Sequence, residues 1–296
     1  MIEIPVKKLK CGFELPAFGF GTWRMGGIET PDPLNDDRID IFAIKTAIEM
    51  GVTHIDTAEF YTGGHTEEII AEAIKDFDRS KIIITTKASP QHLHYKDLIN
   101  AAQQSLKRLK TDYIDIYAIH IPNPYISIKE TMEAMDYLVE KQLIRYIGLS
   151  NFNVEQFSEA QKCTGNKIVC NHVHYNLMFR LPQKDGSIEY AQKNDIIIVA
   201  WRPVQKGLFL EKNIQILDRI CKKYEKTPNQ IAINWLISQK NVTTISKTRN
   251  IKHLEENLGA ISWKMEEEDI KLIMENFPDL QYMSDVKRLA DTILPE

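Results

Sequence analysis

Short apolar segments and amphipathic segments alternate along the chain, and this alternation constrains the fold more than any other feature. The apolar segments have five to eight residues, and most are rich in isoleucine, valine and threonine, as β-strands are. The segments between them repeat their apolar residues with helical spacing. Eight such strands, nearly all followed by a helix, favour an α/β fold of the closed (β/α)₈ kind, the TIM barrel. The predicted strands cover residues 18–23, 52–56, 82–87, 114–120, 146–150, 168–175, 196–200 and 242–246.

Two further elements flank the predicted barrel. Residues 6–10 and 13–15 lie on either side of Gly12 and predict a small N-terminal β-hairpin, which Pro16 ends. Residues 266–275 predict an extra amphipathic helix near the C-terminus. No linker or change in composition divides the chain, so we expect one domain over residues 1–296. The other predicted helices cover residues 39–49, 67–77, 95–109, 128–141, 153–163, 187–193, 213–224, 228–239 and 250–259.

An open doubly wound sheet is the alternative α/β arrangement. Its dinucleotide-binding fingerprint, G-x-G-x-x-G, is expected directly after the first strand. The chain has only Gly19-Phe-Gly21 there, and Thr22, Trp23 and Arg24 follow. The incomplete fingerprint favours the closed barrel.

Composition and charge narrow the class of protein. The chain has 296 residues, of which 43% are hydrophobic and 26% charged, as in an ordinary globular protein. Its net charge of -4 gives no reason to expect a nucleic acid or an anionic membrane as partner. No segment approaches the ~20 apolar residues of a membrane-spanning helix, and the first residues lack the apolar core of a signal peptide. The four cysteines form no C-x-x-C pair, so we expect reduced thiols and a cytoplasmic protein.

Four titratable residues lie where three successive predicted strands end. Asp56 closes the second strand, and Tyr61 follows it after a turn. Lys87 and His120 end the third and fourth strands. The carboxyl ends of neighbouring parallel strands meet at one edge of a barrel, where barrel enzymes carry their active sites. We therefore expect these four side chains to converge.

Each of the four has an ordinary structural explanation when it is taken alone. Asp56 suits a turn, Tyr61 suits a packed aromatic position, and His120 suits a hydrogen-bonded place in the core. Lys87 is harder to explain, because a lysine is almost never buried unless it is paired. Four such residues at successive strand ends indicate a site.

Together the four residues predict a proton donor aimed at a carbonyl oxygen or, in the reverse reaction, a base for an alcohol. The unperturbed pKa of tyrosine is about 10, and a nearby lysine ammonium would lower that pKa. A carboxylate beside the lysine would keep it charged, and a histidine would orient the substrate oxygen. The set contains no nucleophile and no hydride source, so we expect a redox cofactor to supply the hydride.

Five sequence motifs occur in an order that resembles the aldo-keto reductases. They are Gly19-Phe-Gly-Thr-Trp23, Asp56-Thr-Ala-Glu-Phe-Tyr61, Lys87, Ile119-His120 and Gly148-Leu-Ser-Asn-Phe152. The resemblance extends from the hairpin to about residue 260 and implies a (β/α)₈ barrel that binds NADPH without a Rossmann domain. It also implies Tyr61 as the general acid, Asp56 and Lys87 as the pair that tunes it, and His120 as the residue that orients the substrate.

The resemblance further implies where the cofactor and the substrate bind. Ser150 and Asn151 stand where the family holds the nicotinamide carboxamide, and Trp201 stands where an aromatic residue stacks on the nicotinamide ring. Lys247 stands where the family binds the 2′-phosphate of NADPH. The implied cofactor-binding residues are Gly21, Thr22, Trp23, Asp56, Ser150, Asn151, His172, Trp201, Lys247, Thr248, Arg249, His253, Glu256 and Asn257. The implied walls of the substrate pocket are Trp23, Phe60 and Ile121.

The chain departs from the family pattern at several of these positions. His172 replaces the usual glutamine that contacts the carboxamide, and His253 replaces a common arginine, which leaves the use of NADH open beside NADPH. Residues 204–206 replace a small turn that contains glycine, and the segment after them is short. We therefore expect a prokaryote-like member with short loops, no long loop that clamps the cofactor, fast cofactor release and an open substrate pocket.

Other classes of function compete with this interpretation. His172 and His174 lie on one face of a strand and could bind a metal in a barrel hydrolase, although the last strand offers no aspartate partner. Lys87 could form a Schiff base in an aldolase, which would leave Trp201 and Lys247 unexplained. A redox-sensing or regulatory subunit would bind NADPH with little turnover. We expect an NADPH-dependent oxidoreductase without a metal, monomeric, that acts on a small aldehyde or ketone.

Overall fold

Eight parallel strands form a closed barrel, as the alternating pattern predicts. The computed structural model describes residues 2–204 and 214–278 of the chain. Around the wall the strands follow one another in chain order, and the last strand pairs with the first. The strands are β1 (Val6–Lys8) and β2 (Glu14–Pro16) of the N-terminal hairpin, followed by β3 (Phe18–Gly21), β4 (His54–Asp56), β5 (Ile83–Ala88), β6 (Ile114–Ile119), β7 (Ile144–Ser150), β8 (Ile168–His174), β9 (Ile197–Trp201) and β10 (Val242–Ser246) of the barrel.

The helices cover the outside of the barrel and begin at the residues that the sequence marks. Asn153 and Thr227 each form a capping box with the glutamine three residues later. Leu181–Lys184 forms a short helical turn that the sequence pattern did not predict. The described helices are α1 (Asp37–Glu49), α2 (His65–Ile74), α3 (Tyr95–Leu109), α4 (Ile128–Glu140), α5 (Val154–Lys162), α6 (Leu181–Lys184), α7 (Ser187–Lys193), α8 (Gln215–Tyr224), α9 (Pro228–Ser238), α10 (Ile251–Leu258) and α11 (Glu267–Asn276).

Strand edges lie within two residues of the predicted ones, and the first barrel strand shows one reason for a difference. The apolar pattern predicts this strand over residues 18–23, but β3 ends at Gly21. The backbone N–H and the hydroxyl of Thr22 both donate to the carbonyl oxygen of Asp56, at 3.1 Å and 2.9 Å. The chain therefore turns at Thr22 and ties the loop after β3 to the end of β4.

The N-terminal hairpin packs against the barrel interior at the end opposite the strand carboxyl ends. Leu9, Phe13 and Leu15 share one apolar cluster with interior residues of the barrel strands. The Lys7 ammonium donates to the carbonyl oxygens of Ile237 and Gln239, both at 2.7 Å, just before β10 begins. The hairpin closes this end of the barrel. It leaves the opposite end, which carries Asp56, uncovered.

A buried histidine explains one glycine of β3. The Nε2 atom of His54 lies 3.0 Å from the Thr85 hydroxyl oxygen inside the barrel. A Cβ atom at Gly19 would lie 2.4 Å from Nδ1 of His54, closer than real Cβ contacts come. The glycine therefore permits the close approach of β3 to the His54 ring, as expected for a glycine inside a strand.

Two sequence expectations concern membranes and disulfides. Over residues 2–204 and 214–278, no helix has both the length and the apolar character that crossing a membrane requires. The four cysteines are free thiols. The predicted start of a helix at residue 213 and the expected short loop after residue 204 fall on 205–213, outside the described residues.

Candidate active site

Three neighbouring strands bring the four titratable residues together. Asp56 ends β4 and Lys87 lies near the end of β5, while His120 directly follows β6. Tyr61 begins the short helical turn after β4. Asp56, Lys87 and His120 are all at most 5% exposed, whereas Tyr61 is half-buried. The predicted convergence at the carboxyl edge therefore exists in the structure.

A buried ion pair forms the base of the site. The Nζ atom of Lys87 lies 2.6 Å from Oδ1 of Asp56 and donates a second hydrogen bond, 2.7 Å long, to the carbonyl oxygen of Thr57. The same Nζ atom lies 5.5 Å from the centre of the Tyr61 ring. The His120 ring meets the Tyr61 ring edge-on, with 5.8 Å between their centres. Breaking such a pair would leave one buried charge uncompensated.

The pKa of Tyr61 is shifted upward, opposite to the direction expected from the sequence. Desolvation raises the pKa of the Tyr61 phenol above its ordinary value, the Asp56 charge raises it further, and Arg202 opposes the shift. Asp56 is in direct contact with Lys87, so its charge offsets that of the ammonium at the phenol. The phenol consequently keeps its proton at neutral pH and suits the role of an acid.

The imidazole of His120 is neutral. Burial, with a smaller contribution from the Lys87 charge, lowers the pKa of His120 to about 3. A neutral imidazole has one N–H donor and one acceptor nitrogen. His120 can therefore hydrogen-bond a substrate oxygen without competing with Tyr61 as the proton source.

These residues lie at the bottom of a cavity of about 360 Å³. Of the expected pocket walls, Trp23 and Phe60 line it, while Ile121 is buried and lies outside the lining formed by the described residues. The described residues that line it are Gly21, Thr22, Trp23, Arg24, Asp56, Phe60, Tyr61, Lys87, His120, Ser150, Asn151, His172, Trp201, Arg202, Pro203, Val204, Ile245, Ser246 and Lys247.

Most residues implied for the nicotinamide half of the cofactor line this cavity. Asn151 donates through Nδ2 to the His120 carbonyl oxygen and to the Ser150 hydroxyl oxygen, both at 3.0 Å. The Ser150 hydroxyl is thus free to donate, and Oδ1 of Asn151 is free to accept. A carboxamide offers the complementary acceptor and donor. The two side chains therefore fit the group that the family resemblance assigns to them.

Trp201 is held in place by an aromatic stack. Its ring is nearly parallel to the His174 ring, with 4.3 Å between centres and 10° between planes. His174 stacks with the same spacing and angle on Phe179. The stack leaves Trp201 as a wall of the cavity, where a flat ring could lie against it.

The residues implied for the adenosine half do not line the cavity, except for Lys247. The Arg249 guanidinium is bound to Asp40 and Asn35 through hydrogen bonds of 2.8 Å. This places Arg249 in an ion pair with a fully buried carboxylate of α1. The remaining members lie on or just before α10. The Thr248 hydroxyl donates a hydrogen bond to the carbonyl oxygen of Asn250, and the Glu256 carboxylate accepts one from the Thr227 hydroxyl. The Asn257 amide donates a hydrogen bond to the Ser246 hydroxyl oxygen, and His253 is exposed.

Two arginines in the lining are absent from the residues predicted for the site. Arg24 and Arg202 place their guanidinium carbons 4.5 Å and 5.3 Å from the centre of the Trp23 ring. Both have positive φ angles, 66° and 58°, which a non-glycine residue adopts at a cost. The only sequence signal is the Trp-Arg dipeptide, which occurs after β3 and at the end of β9.

The metal-site alternative depends on the two histidines of β8. His172 faces Asp56, whereas His174 is stacked between Trp201 and Phe179. Among residues 2–204 and 214–278, no group of three or more His, Cys, Asp or Glu side chains could hold a metal ion. The described residues therefore offer no metal centre to support a barrel hydrolase.

Comparisons with known proteins agree with the fold and with the motif order. The sequence profile of the Aldo/keto reductase family matches residues 17–276. Glyoxal reductase of Bacillus subtilis (strain 168) is 31% identical over 269 residues, covering 90% of this chain and 90% of that protein. Methylglyoxal reductase YeaE of Escherichia coli (strain K12) is 29% identical over 268 residues, covering 89% of this chain and 92% of that protein.

Solved structures superpose on nearly the whole barrel. A thermostable aldo-keto reductase crystallised with the inhibitor epalrestat has a TM-score of 0.89 and 46% identity, covering 92% of this chain and 99% of that chain. An aldo/keto reductase of Klebsiella pneumoniae, solved with NADP and acetate, has a TM-score of 0.83 and 28% identity, covering 93% of this chain and 95% of that chain. The chain belongs to the aldo/keto reductase family.

Proposed function

We propose that the protein is an NADPH-dependent reductase of small aldehydes and ketones. The observation that carries the proposal is the cluster of Tyr61, His120 and the Asp56–Lys87 pair at the base of an open cavity. Related proteins are named glyoxal and methylglyoxal reductases, which supports small carbonyl compounds as substrates. The cavity volume of about 360 Å³ supports a small substrate as well.

The lining of the cavity supports a cofactor site at this place. NADPH, when bound, supplies the hydride. Ser150 and Asn151 would hold its carboxamide, Trp201 would stack on its nicotinamide ring, and Lys247 would bind its 2′-phosphate. Solved relatives contain NADP or NADPH, which supports the choice of this nucleotide.

The protonation states of Tyr61 and His120 support a role for each in the reaction. Tyr61 keeps its proton at neutral pH and would transfer it to the carbonyl oxygen as negative charge develops there. His120, which is neutral, would donate a hydrogen bond to the same oxygen and fix its position. Asp56 holds the Lys87 ammonium beneath the Tyr61 ring, where it would stabilise the phenolate that remains.

Turnover with small carbonyl compounds tests the proposal. The purified protein should oxidise NADPH in the presence of methylglyoxal, glyoxal or an aromatic aldehyde, with kcat on the order of 1 s⁻¹ or faster. The loss of NADPH absorbance measures this directly. Saturable NADPH binding without turnover on any of these compounds would contradict a reductase and favour the regulatory alternative.

Lys247 should distinguish NADPH from NADH. Lys247→Ala should weaken NADPH binding by roughly ten- to a hundredfold, the usual value of a hydrogen bond to a charged group, and leave NADH affinity unchanged. Fluorescence titration with each nucleotide measures both dissociation constants. Lys252→Ala is the matched control, because Lys252 is an exposed lysine on α10 outside the cavity. An equal loss for both nucleotides would show that Lys247 does not bind the 2′-phosphate.

A further inference from the structure

We propose that His172 is a positioning residue for the Asp56–Lys87 pair and not a contact of the nicotinamide carboxamide. This inference rests on the proposed reductase function for its kinetic part. His172 lies on β8 at the position where the family resemblance predicts a glutamine.

Both ring nitrogens of His172 face protein groups inside the barrel. Nδ1 lies 3.4 Å from Oδ2 of Asp56. Nε2 lies 3.7 Å from the sulfur atom of Cys170. The His172 side chain is fully buried. An imidazole has only two polar atoms, so pairing with these two groups would leave neither nitrogen for a ligand in the cavity.

The two facing atoms are otherwise unsatisfied. Neither Nδ1 of His172 nor Oδ2 of Asp56 makes a hydrogen bond with any described residue, and the two atoms face each other. A buried polar atom without a partner is costly, so each atom is the natural partner of the other. The 3.4 Å between them exceeds the usual length of an N–H···O hydrogen bond, so the pairing requires a small movement of one of the two side chains.

The chemistry of the neighbours fixes the tautomer. Burial lowers the pKa of His172 well below its ordinary value, so its ring is neutral and carries one N–H. The Asp56 carboxylate can only accept, which assigns the proton to Nδ1 and makes Nε2 an acceptor. Burial raises the pKa of Cys170 to about 12, so its thiol keeps a proton to donate to Nε2.

His172 therefore completes the coordination of Asp56. Lys87 binds Oδ1 of this carboxylate and His172 faces Oδ2, so the carboxylate is held on both sides. With His172 engaged, recognition of a carboxamide falls to Ser150 and Asn151. The titratable groups around Asp56 are His54 on β4, Tyr61 after β4, Lys87 on β5, His120 after β6, and Cys170 and His172 on β8.

Two substitutions separate the positioning role from simple packing. In His172→Asn the amide nitrogen takes the place of Nδ1 and can still donate to Asp56, whereas in His172→Gln it reaches toward the place of Nε2 and Cys170. His172→Leu removes both contacts. Loss of the donor destabilises the ionised carboxylate, so Asp56 protonates at a higher pH.

The pH profile of kcat is the decisive measurement. We expect the acid limb of the profile, the pH range in which kcat falls as the pH is lowered, to move up by about one pH unit in His172→Leu and His172→Gln. The shift is expected because each substitution removes one hydrogen bond to a charged group. His172→Asn should restore the limb to its wild-type position. The dissociation constant of NADPH, measured by fluorescence titration, should stay at its wild-type value in all three. Weaker NADPH binding in His172→Leu with an unmoved acid limb would show a cofactor contact and overturn the proposal.

A stability measurement tests the contact without turnover. In thermal unfolding, His172→Leu should destabilise the wild-type protein but have little further effect in an Asp56→Asn background, because the two residues share one interaction. Fully additive effects would overturn the proposal. If the wild-type protein shows coupling here but reduces no carbonyl compound, the proposed reductase function fails while the contact stands.

Discussion

Tyr61→Phe should remove most carbonyl reduction and leave NADPH affinity nearly unchanged. The substitution deletes the phenol O–H, which is protonated at neutral pH, and keeps the ring that meets His120 edge-on at 5.8 Å. Loss of a positioned general acid typically costs about 10²–10⁴-fold in rate. Steady-state kinetics with methylglyoxal and a fluorescence titration with NADPH measure the two quantities separately.

A second tyrosine provides the control for this prediction. Tyr137 lies on α4 and packs its ring 6.2 Å from that of Tyr95, outside the barrel. Tyr137→Phe should therefore leave turnover unchanged. If Tyr61→Phe also kept wild-type turnover, another residue would have to supply the proton, and the proposed mechanism would be wrong.

Lys87→Met should destabilise the protein more than any surface substitution. Lys87 and Asp56 are 3% and 1% exposed, with 2.6 Å between Nζ and Oδ1. Removal of the ammonium therefore leaves a buried carboxylate without its counter-charge. Breaking such a pair costs about 3–5 kcal/mol. For a domain of this size that corresponds to a fall in Tm of roughly 10 °C. Thermal unfolding measures the change.

A double substitution separates the charge of Asp56 from the packing around it. Asp56→Asn combined with Lys87→Met removes both charges, so most of the lost stability should return, whereas turnover should not. The exposed pair of Lys45 and Asp76 is the control: Lys45→Met should cost no more than about 1 kcal/mol. An unchanged Tm in Lys87→Met would mean that Asp56 is uncharged in the folded variant, because burial raises its pKa and the Lys87 charge no longer opposes that shift.

The sequence by itself determined the architecture and the location of the site. Apolar strands that alternate with amphipathic helices can bury both faces of a parallel sheet only by closing it or covering it with helices. Once the strands are parallel, their carboxyl ends share one edge, so the convergence of Asp56, Lys87 and His120 followed from their places at strand ends. The resemblance to the aldo-keto reductases implied cavity positions for Ser150 and Trp201, and both line the cavity.

Only the tertiary structure decided how these residues are paired and protonated. The ion pair with Asp56 offsets the Lys87 charge at Tyr61, so desolvation raises the pKa of the phenol where the sequence suggested a fall. His172 faces Asp56 across the barrel, from β8 to β4, and the Arg249 guanidinium binds Asp40 of α1. Such contacts join positions that are 116 and 209 residues apart. They depend on how the closed barrel brings strands and helices together, and no local pattern of residues contains that information.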